Sequence, residues 1–289
     1  MKPPIALTGL VLDTPLLGAM IDYYAQAFGL SLVEEGPGHA QLAGGGPTNA
    51  PQLTLRQATA AGLGGLTFAM RFPADVAAAR TAAQASGLWV ADTLDGFTLA
   101  DPDGTELSFA VDVSHPLDTF DGPLFVSHVV LNSTNPERLI AFYVEKLGFT
   151  VSDKYEKGLL TFLRCDQPQH HCVGIAPAAT SGLNHFAIDC GDVDRVMRGV
   201  SRMVRHGHPP IWGPGRHGPG GNIFCYFEDP TGFVPEYTCD VLQIADAENW
   251  SPKEWARTPE NGNSWGSGGP SPRAIELMNG TAFPASAAQ

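Results

Sequence analysis

The chain has 289 residues, with 17 basic and 30 acidic side chains and a formal net charge of −13. This length allows two ordinary domains with well-buried cores. The acidic balance excludes nucleic acid as an expected partner, because phosphate backbones are bound by basic surfaces.

Neither a membrane nor an oxidising compartment is expected for this chain. No apolar run reaches the roughly 18 residues that a membrane-spanning helix requires. The first residues lack the long apolar core and cleavage site of a secretory signal, so we expect a cytoplasmic location. The five cysteines are odd in number and form no CxxC pair, which indicates reduced, buried side chains.

The first predicted unit is strand–helix–strand over residues 7–35, and it recurs over residues 126–154. Both segments contain a short apolar strand, a polar turn, an amphipathic helix that ends in Phe-Gly or Leu-Gly, and a second strand. In the second copy, Gly148 fits the end of the helix.

A second repeated unit follows in each half of the chain. Residues 66–87 match residues 184–207 as strand then helix, and each segment continues into a hairpin, over residues 97–109 and 224–237. The hairpins contain Asp-Pro-Asp-Gly and Asp-Pro-Thr-Gly, which are turn sequences between alternating strands. The sequence therefore predicts an α+β fold of four βαβββ modules. We expect them to pair into two tandem domains, each an incomplete barrel-like mixed sheet with helices outside.

The predicted domain boundaries follow from this repeat. Residues 1–113 form the first domain, residues 114–122 a linker, residues 123–242 the second domain and residues 243–289 a tail. The tail is rich in Pro, Ser and Gly and contains tryptophans. We expect it to lie across another surface as an arm or a lid, because exposed tryptophans favour aggregation.

Three potential metal ligands occur in only one copy of the repeat: His128, His185 and Glu236. Their counterparts in the first half are Gly9, Thr67 and Ser108, none of which can hold a metal strongly. A single histidine in an apolar strand is more often a hydrogen-bonded core residue, and that alternative applies to each histidine alone. An unpaired buried glutamate is costly, however. Two imidazoles and a carboxylate with open coordination positions suit ferrous iron.

Further histidines and a tyrosine accompany this set. His217 lies on a Gly- and Pro-rich insertion that the first half lacks, and such loops commonly carry function. His170 and His171 are neighbours at the start of a predicted strand, so only one of them can face the metal. Strand parity favours His171. Tyr226 shares a face with Glu236 only if the hairpin between them is regular. The alternatives are an exposed loop histidine and a half-buried strand aromatic.

These motifs resemble the type I extradiol catechol dioxygenases of the vicinal oxygen chelate (glyoxalase–bleomycin resistance) superfamily, particularly the 2,3-dihydroxybiphenyl 1,2-dioxygenase-like group. The resemblance covers both domains in layout and residues 124–240 in motif. It is carried by SHVVL with His128, HHCVGI with His171, LNHFAID with His185, and GRHGPGGNIFCYFEDPTGFVPEY with His217, Tyr226 and Glu236. The last segment is the most specific, since it sets three positions in order.

The resemblance implies a role for each of these residues. It implies Fe(II), or more rarely Mn(II), as the metal, with three ligands: His128, His185 and Glu236. It implies His171 as the acid–base residue near bound oxygen, and His217 and Tyr226 as hydrogen-bonding partners of the substrate oxygens. The implied reaction inserts both atoms of O₂ into a small catechol-type diol. We expect Phe186 and Trp212 to contact the substrate, and the chain to form a homo-oligomer.

Two positions depart from the family pattern, and two other functions remain open. Gly220 stands where the family often has an aspartate, and Pro235 directly before Glu236 is unusual. The first alternative function is a metal-dependent lyase or isomerase of the glyoxalase type. The second is a non-catalytic small-molecule binding protein, which would not need the three ligands.

Overall fold

The computed structural model describes residues 1–45, 52–111 and 122–280 as two mixed β-sheets with helices packed against them. In these described ranges the first sheet contains strands β1 to β8: Ala6–Thr14, Ser31–Gly36, His39–Ala43, Leu53–Gln57, Gly62–Met70, Ala91–Asp92, Gly96–Ala100 and Glu106–Val111. The second contains β9 to β17: Phe125–Ser133, Thr150–Tyr155, Thr161–Arg164, Val173–Pro177, Gly182–Asp189, Trp212–Arg216, Ile223–Tyr226, Pro235–Cys239 and Lys253–Trp255. The α-helices α1 to α6 are Leu17–Asp22, Pro73–Ala85, Pro136–Ala141, Val193–Arg205, Pro259–Gly262 and Pro272–Met278.

The two sheets have the same topology, which confirms the predicted βαβββ modules. The first has the order β2-β3-β4-β1-β5-β8-β7-β6, and the second has the order β14-β15-β16-β13-β9-β12-β11-β10-β17. Read in reverse, the second sheet repeats the first strand by strand. It differs by β17, which the tail adds at the edge beside β10. Neither sheet closes into a complete barrel.

The strand register corrects one pairing of the repeat: the counterpart of His185 is Gly65 and not Thr67. In the first sheet Thr67 lies opposite the counterpart of His128. In the second sheet Ala187 lies opposite His128 itself. The two segments can be aligned by sequence in either register, and a shift of two residues keeps every side chain on its own face. Glycine, like threonine, provides no strong metal ligand.

Both sheets carry β-bulges at equivalent positions. Thr8 and Gly64 are the unpaired residues between β1 and β5, and Ser127 and Asn184 are the unpaired residues between β9 and β13. A bulge places two residues opposite one, which bends the strand and changes the direction of a side chain. The bulges of the second sheet lie directly beside His128 and His185.

Two tyrosine–aspartate contacts cross between the halves in opposite directions. Each tyrosine lies in the π-helical turn that follows α1 or α3, and each aspartate lies in an Asp-Pro turn of the other half. Tyr24 donates its hydroxyl to Asp229 Oδ2 at 2.7 Å, and Tyr143 lies 3.5 Å from Asp101 Oδ2. All four side chains are buried, and a continuous apolar core spans both halves.

The tail packs on the second sheet. Strand β17 pairs in parallel with β10, and α5 and α6 follow it. The predicted linker over residues 114–122 falls almost entirely outside the described residues, so the domain boundaries stay a prediction. Within the described part of the chain, no helix is long and apolar enough to cross a membrane.

Replacing Tyr24 with Phe should lower the free energy of unfolding by about 1–3 kcal/mol, because buried Asp229 Oδ2 loses its hydroxyl donor. Urea denaturation followed by circular dichroism measures this change. Tyr143→Phe is the matched control, and it should cost less because its contact is longer. Equal losses in the two variants would contradict this assignment.

Stability should also depend on pH through Asp229. Burial raises the pKa of Asp229 to about 7, although Tyr24 and three backbone N–H groups donate to it. An unfolded aspartate has a pKa of about 3.9, so the folded state binds a proton that the unfolded chain has lost. This contribution is full below about pH 4 and is lost as the pH rises through about 7. Urea titrations at several pH values should therefore show a smaller decline of the free energy of unfolding with rising pH in Asp229→Asn than in the wild type. Equal declines in the two proteins would contradict this role of Asp229.

Candidate metal centre

The three predicted ligands lie on three neighbouring strands in the middle of the second sheet. His128 is on β9, His185 on β13 and Glu236 on β16, with relative exposures of 2%, 8% and 0%. One potential ligand atom from each lies within 4.8 Å of the others. The histidine Nε2 atoms lie 3.3 and 3.6 Å from Glu236 Oε2. The structure thus brings the three residues together at one buried point.

The donor atoms at this point fit a divalent cation. Glu236 Oε2 is buried and accepts no hydrogen bond from the residues that the structure describes. Such an oxygen is costly unless another group satisfies it. Two imidazole nitrogens and one carboxylate oxygen on adjacent strands form a donor set that suits iron, with positions left for other ligands. The residues present therefore fit the metal that the sequence predicts.

The bulge residues orient the two histidines. Asn184 Oδ1 lies 2.7 Å from His185 Nδ1, and Ser127 Oγ lies 3.2 Å from His128 Nδ1. Because both Nδ1 atoms have these partners, the Nε2 atoms are directed towards Glu236. Metal-binding histidines commonly use their second nitrogen in this way.

The protonation states suit metal binding. Burial lowers the pKa of His185 to about 3, against the opposing effect of Glu236. Burial opposes ionisation of Glu236, but the nearby histidines His128, His185 and His217 outweigh it and lower its pKa. At neutral pH the site therefore offers a neutral imidazole at His185 and an ionised carboxylate, which are the forms that bind metal ions.

A cavity of about 730 Å³ opens above this point. The second sheet contributes His128, His185 and Tyr226 to its wall, and the tail contributes residues between Arg257 and Asn279. The tail thus forms part of the cavity wall. Most of the remaining wall is apolar.

His171 lines the cavity, and its ring centroid lies 4.5 Å from that of His128. His171 was expected at the start of a strand, but β12 begins two residues later, at Val173. The neighbouring His170 is fully buried and its Nε2 lies 3.1 Å from Asp153 Oδ2. The two histidines therefore face in different directions.

His217 and Tyr226 form a hydrogen-bonded pair at the cavity wall. His217 Nδ1 lies 2.8 Å from the Gly262 carbonyl oxygen of the tail. Since a carbonyl only accepts, Nδ1 carries the proton and Nε2 accepts from the Tyr226 hydroxyl at 3.0 Å. Burial lowers the pKa of His217. Tyr226 lies directly opposite Glu236 between β15 and β16, so the hairpin is regular at this point.

The two residues expected to contact substrate differ in position. Trp212 lines the cavity and stacks on Tyr226, with ring centroids 5.1 Å apart. Phe186 is fully buried in the core, where it packs against Tyr24. It follows His185 in β13, so it points to the opposite face of the sheet. The expected contact between Phe186 and substrate is therefore not met by this geometry.

Part of the chain is similar to a known protein family. Residues 126–237 match the Glyoxalase/Bleomycin resistance protein/Dioxygenase superfamily, also called the vicinal oxygen chelate superfamily. The matched segment contains all three ligand candidates, His128, His185 and Glu236.

Three relatives of the vicinal oxygen chelate domain are informative. "Metapyrocatechase 2" from Cupriavidus necator is 33% identical over 46% of this chain and 42% of that protein. An "iron-dependent extradiol dioxygenase" from Rhodococcus jostii is 29% identical over 45% of this chain and 47% of that protein. The chain thus spans less than half the length of these curated relatives. The solved structure of a Mn(II)-bound glyoxalase from Novosphingobium aromaticivorans covers 100% of this chain and 97% of its own, with a TM-score of 0.86 and 29% identity.

Several residues of the site carry no signal that sequence reasoning detected. Asn132 and Asn184 both donate to the Met278 carbonyl oxygen at 2.7 Å. These bonds connect the end of α6 to Asn184, whose side chain also contacts His185. Ser127 and Asn184 directly precede the two histidine ligand candidates. In a regular strand such neighbours point away, so only the bulges bring them to the site.

Adding Fe(II) without oxygen, or Mn(II), should raise the melting temperature of the protein, because a metal that binds only the folded state stabilises it. At 100 times the dissociation constant the gain is about 2.7 kcal/mol. Differential scanning fluorimetry measures the shift. We expect it to disappear in His128→Ala and Glu236→Ala, and to persist in His39→Ala, which changes a histidine of the first sheet. A full shift in Glu236→Ala would refute the assignment of this ligand.

Proposed function

We propose that this protein is an extradiol ring-cleaving dioxygenase. It would insert both atoms of O₂ into a catechol-type aromatic diol, with Fe(II) held by His128, His185 and Glu236. The observation that carries the proposal is the position of His171, His217 and Tyr226. These three acid–base and hydrogen-bonding side chains line the same cavity as His128 and His185, and Glu236 Oε2 lies 3.3 and 3.6 Å from the Nε2 atoms of those two histidines.

Each part of this set has a chemical task. Iron bound there would supply Lewis acidity towards a diol and open coordination positions for diol and O₂. His171 would accept a proton from a diol hydroxyl and return it to oxygen later. Burial lowers the pKa of His171, which keeps the imidazole neutral before substrate binds.

Tyr226 and His217 would orient the diol. The tyrosine hydroxyl proton is directed at His217 Nε2, so the tyrosine oxygen is left to accept a hydrogen bond from a diol hydroxyl. The carbonyl of Gly262 holds His217 in this tautomer. Trp212, stacked on Tyr226, provides an apolar surface for the aromatic ring.

The named relatives support this proposal. The proteins from Cupriavidus necator and Rhodococcus jostii carry names of ring-cleaving enzymes, and the second name specifies iron. Because the matched segments cover less than half of either relative, the activity is carried over as a proposal. A cytoplasmic location and a homo-oligomeric state also stay predictions.

The second candidate function is a glyoxalase-type lyase or isomerase reaction. The specific observation in its favour is the Mn(II)-bound glyoxalase, which matches along the whole chain. Such a reaction consumes no O₂. A protein that only binds a small molecule is less well supported, since it would not need the three buried ligand candidates.

The protein loaded anaerobically with Fe(II) should consume one O₂ per aromatic ring when catechols are added. An oxygen electrode and the absorbance of the coloured ring-fission product measure the reaction together. His128→Ala and Glu236→Ala should lose it. Metal binding without O₂ uptake on any diol would refute the proposal, and O₂-independent turnover with Mn(II) would favour the glyoxalase-type reaction.

His171→Phe separates chemistry from metal binding in the same assay. This variant should keep the metal-induced rise in melting temperature and lose about 10²–10⁴-fold in kcat, the usual contribution of a general acid–base group. His39→Ala serves as the unaffected control. An unchanged kcat in His171→Phe would remove His171 from the mechanism.

A further inference from the structure

A chain of buried polar contacts leads from His171 away from the cavity. His171 Nδ1 lies 3.0 Å from His170 Nδ1, and His170 Nε2 lies 3.1 Å from Asp153 Oδ2. His170 and Asp153 are 0% and 1% exposed. Of these three residues the proposed reaction uses only His171. It assigns no role to the buried ionisable side chains of His170 and Asp153.

Asp153 accepts two hydrogen bonds from the tail. Its Oδ1 accepts from the Lys253 backbone N–H at 2.7 Å, and its Oδ2 accepts from Trp255 Nε1 at 2.8 Å. Burial would raise the pKa of Asp153, but the donors, His170 first among them, outweigh it and lower the pKa. His170 Nε2 lies 3.1 Å from Oδ2 but outside hydrogen-bond geometry, and the adjacent carboxylate, which can only accept, favours the Nε2–H form of His170.

With both imidazoles neutral, this proton position sets the tautomer of the next histidine. A neutral imidazole carries one proton, so His170 with Nε2–H has a lone pair on Nδ1. The contact of 3.0 Å between the two Nδ1 atoms then needs a proton from His171. His171 is left with Nδ1–H and with Nε2 unprotonated, on a ring that lines the cavity.

The surroundings leave the two rings little room to turn. A Cβ atom added at Gly220 would lie 3.1 Å from His171 Cε1 and 3.3 Å from His170 Nδ1. Phe162 packs on the His171 ring, with centroids 4.9 Å apart. The backbone at Gly220 has a φ of 72°, which favours glycine. The residue that departs from the family pattern therefore allows the loop to close over the histidine pair.

We propose that His170 and Asp153 are positioning residues for His171, which hold its ring at the cavity wall and keep its proton on Nδ1. Nε2 of His171 is then free to accept a proton from the substrate. The same carboxylate anchors the tail strand through Lys253 and Trp255, so the tail and His171 share one support. The role of His171 as a proton acceptor rests on the proposed function, whereas its tautomer can be measured without any reaction.

The tautomers can be measured in the full-length, metal-free protein. Long-range ¹H–¹⁵N spectra of ¹⁵N-histidine-labelled protein, at a pH where the imidazoles are neutral, distinguish protonated from unprotonated ring nitrogens. The signals of His171 and His170 are assigned by their loss in His171→Phe and His170→Leu. We expect Nδ1–H on His171 and Nε2–H on His170 in the wild type. A proton on Nε2 of His171 would overturn the proposal, and this measurement needs no variant to be active.

The His170→Leu variant tests the dependence itself. Without the acceptor, His171 should no longer occupy a single tautomer, because the partner of one nitrogen decides where the proton lies. His39→Leu, the same substitution on the first sheet, should leave the His171 signals unchanged. Unchanged His171 signals in His170→Leu would overturn the positioning role.

Kinetics of the iron-loaded enzyme provide a second readout. His170→Leu should lower kcat by roughly tenfold or more while KM changes less than about threefold, since substrate contacts are intact. The double variant His170→Leu/His171→Phe should be no slower than His171→Phe, because residues that act as a unit are non-additive. Additive losses would overturn the proposal. If no catechol is cleaved, the proposed function fails while the tautomer result still stands.

Discussion

The buried carboxylate of Glu236 is the constraint on which the site depends. It lies in the middle of the second sheet with no exposed surface, and its Oε2 accepts no hydrogen bond. A lone buried charge is costly unless opposite charge or hydrogen-bond donors compensate it. Three histidines lower its pKa, and a divalent cation between Oε2 and the Nε2 atoms of His128 and His185 would supply the remaining compensation. The rest of the cavity is built around this point.

The first sheet serves the site without contributing a ligand. Tyr24, in the π-helical turn that follows α1 in the first half, donates to Asp229 in the turn before the strand of Glu236, and the reciprocal contact joins Tyr143 to Asp101. The two halves thus hold each other's Asp-Pro turns through buried tyrosines. Turn geometry sets where the following strand begins, so this contact helps to position Glu236 from a distance.

The repeat made most of the fold and the three ligand candidates predictable. Histidines and a glutamate that appear in one copy only are visible in the sequence without any structure. The sequence repeat pairs His185 with Thr67, which is two residues away from its structural counterpart Gly65, because such a shift preserves side-chain alternation. The roles of Asn184 and of the Met278 carbonyl were not predictable, since they depend on a bulge and on long-range docking of the tail. The predicted substrate contact of Phe186 is wrong, because side chains alternate along β13 and Phe186 faces the core when His185 faces the cavity.

The β-bulges beside the metal ligands are not specific to the sheet that contains those ligands. A bulge leaves backbone groups unpaired. The first sheet has such bulges at Thr8 and Gly64, although the residues that follow them, Gly9 and Gly65, are not metal ligands. Its bulges therefore cannot exist to aim metal-binding side chains; their effect there is to curve the sheet. In the second sheet the equivalent bulges place Ser127 beside His128 Nδ1 and Asn184 beside His185 Nδ1. The two copies thus share the bulged backbone, and they differ in that only the second carries two histidines and a glutamate at these positions.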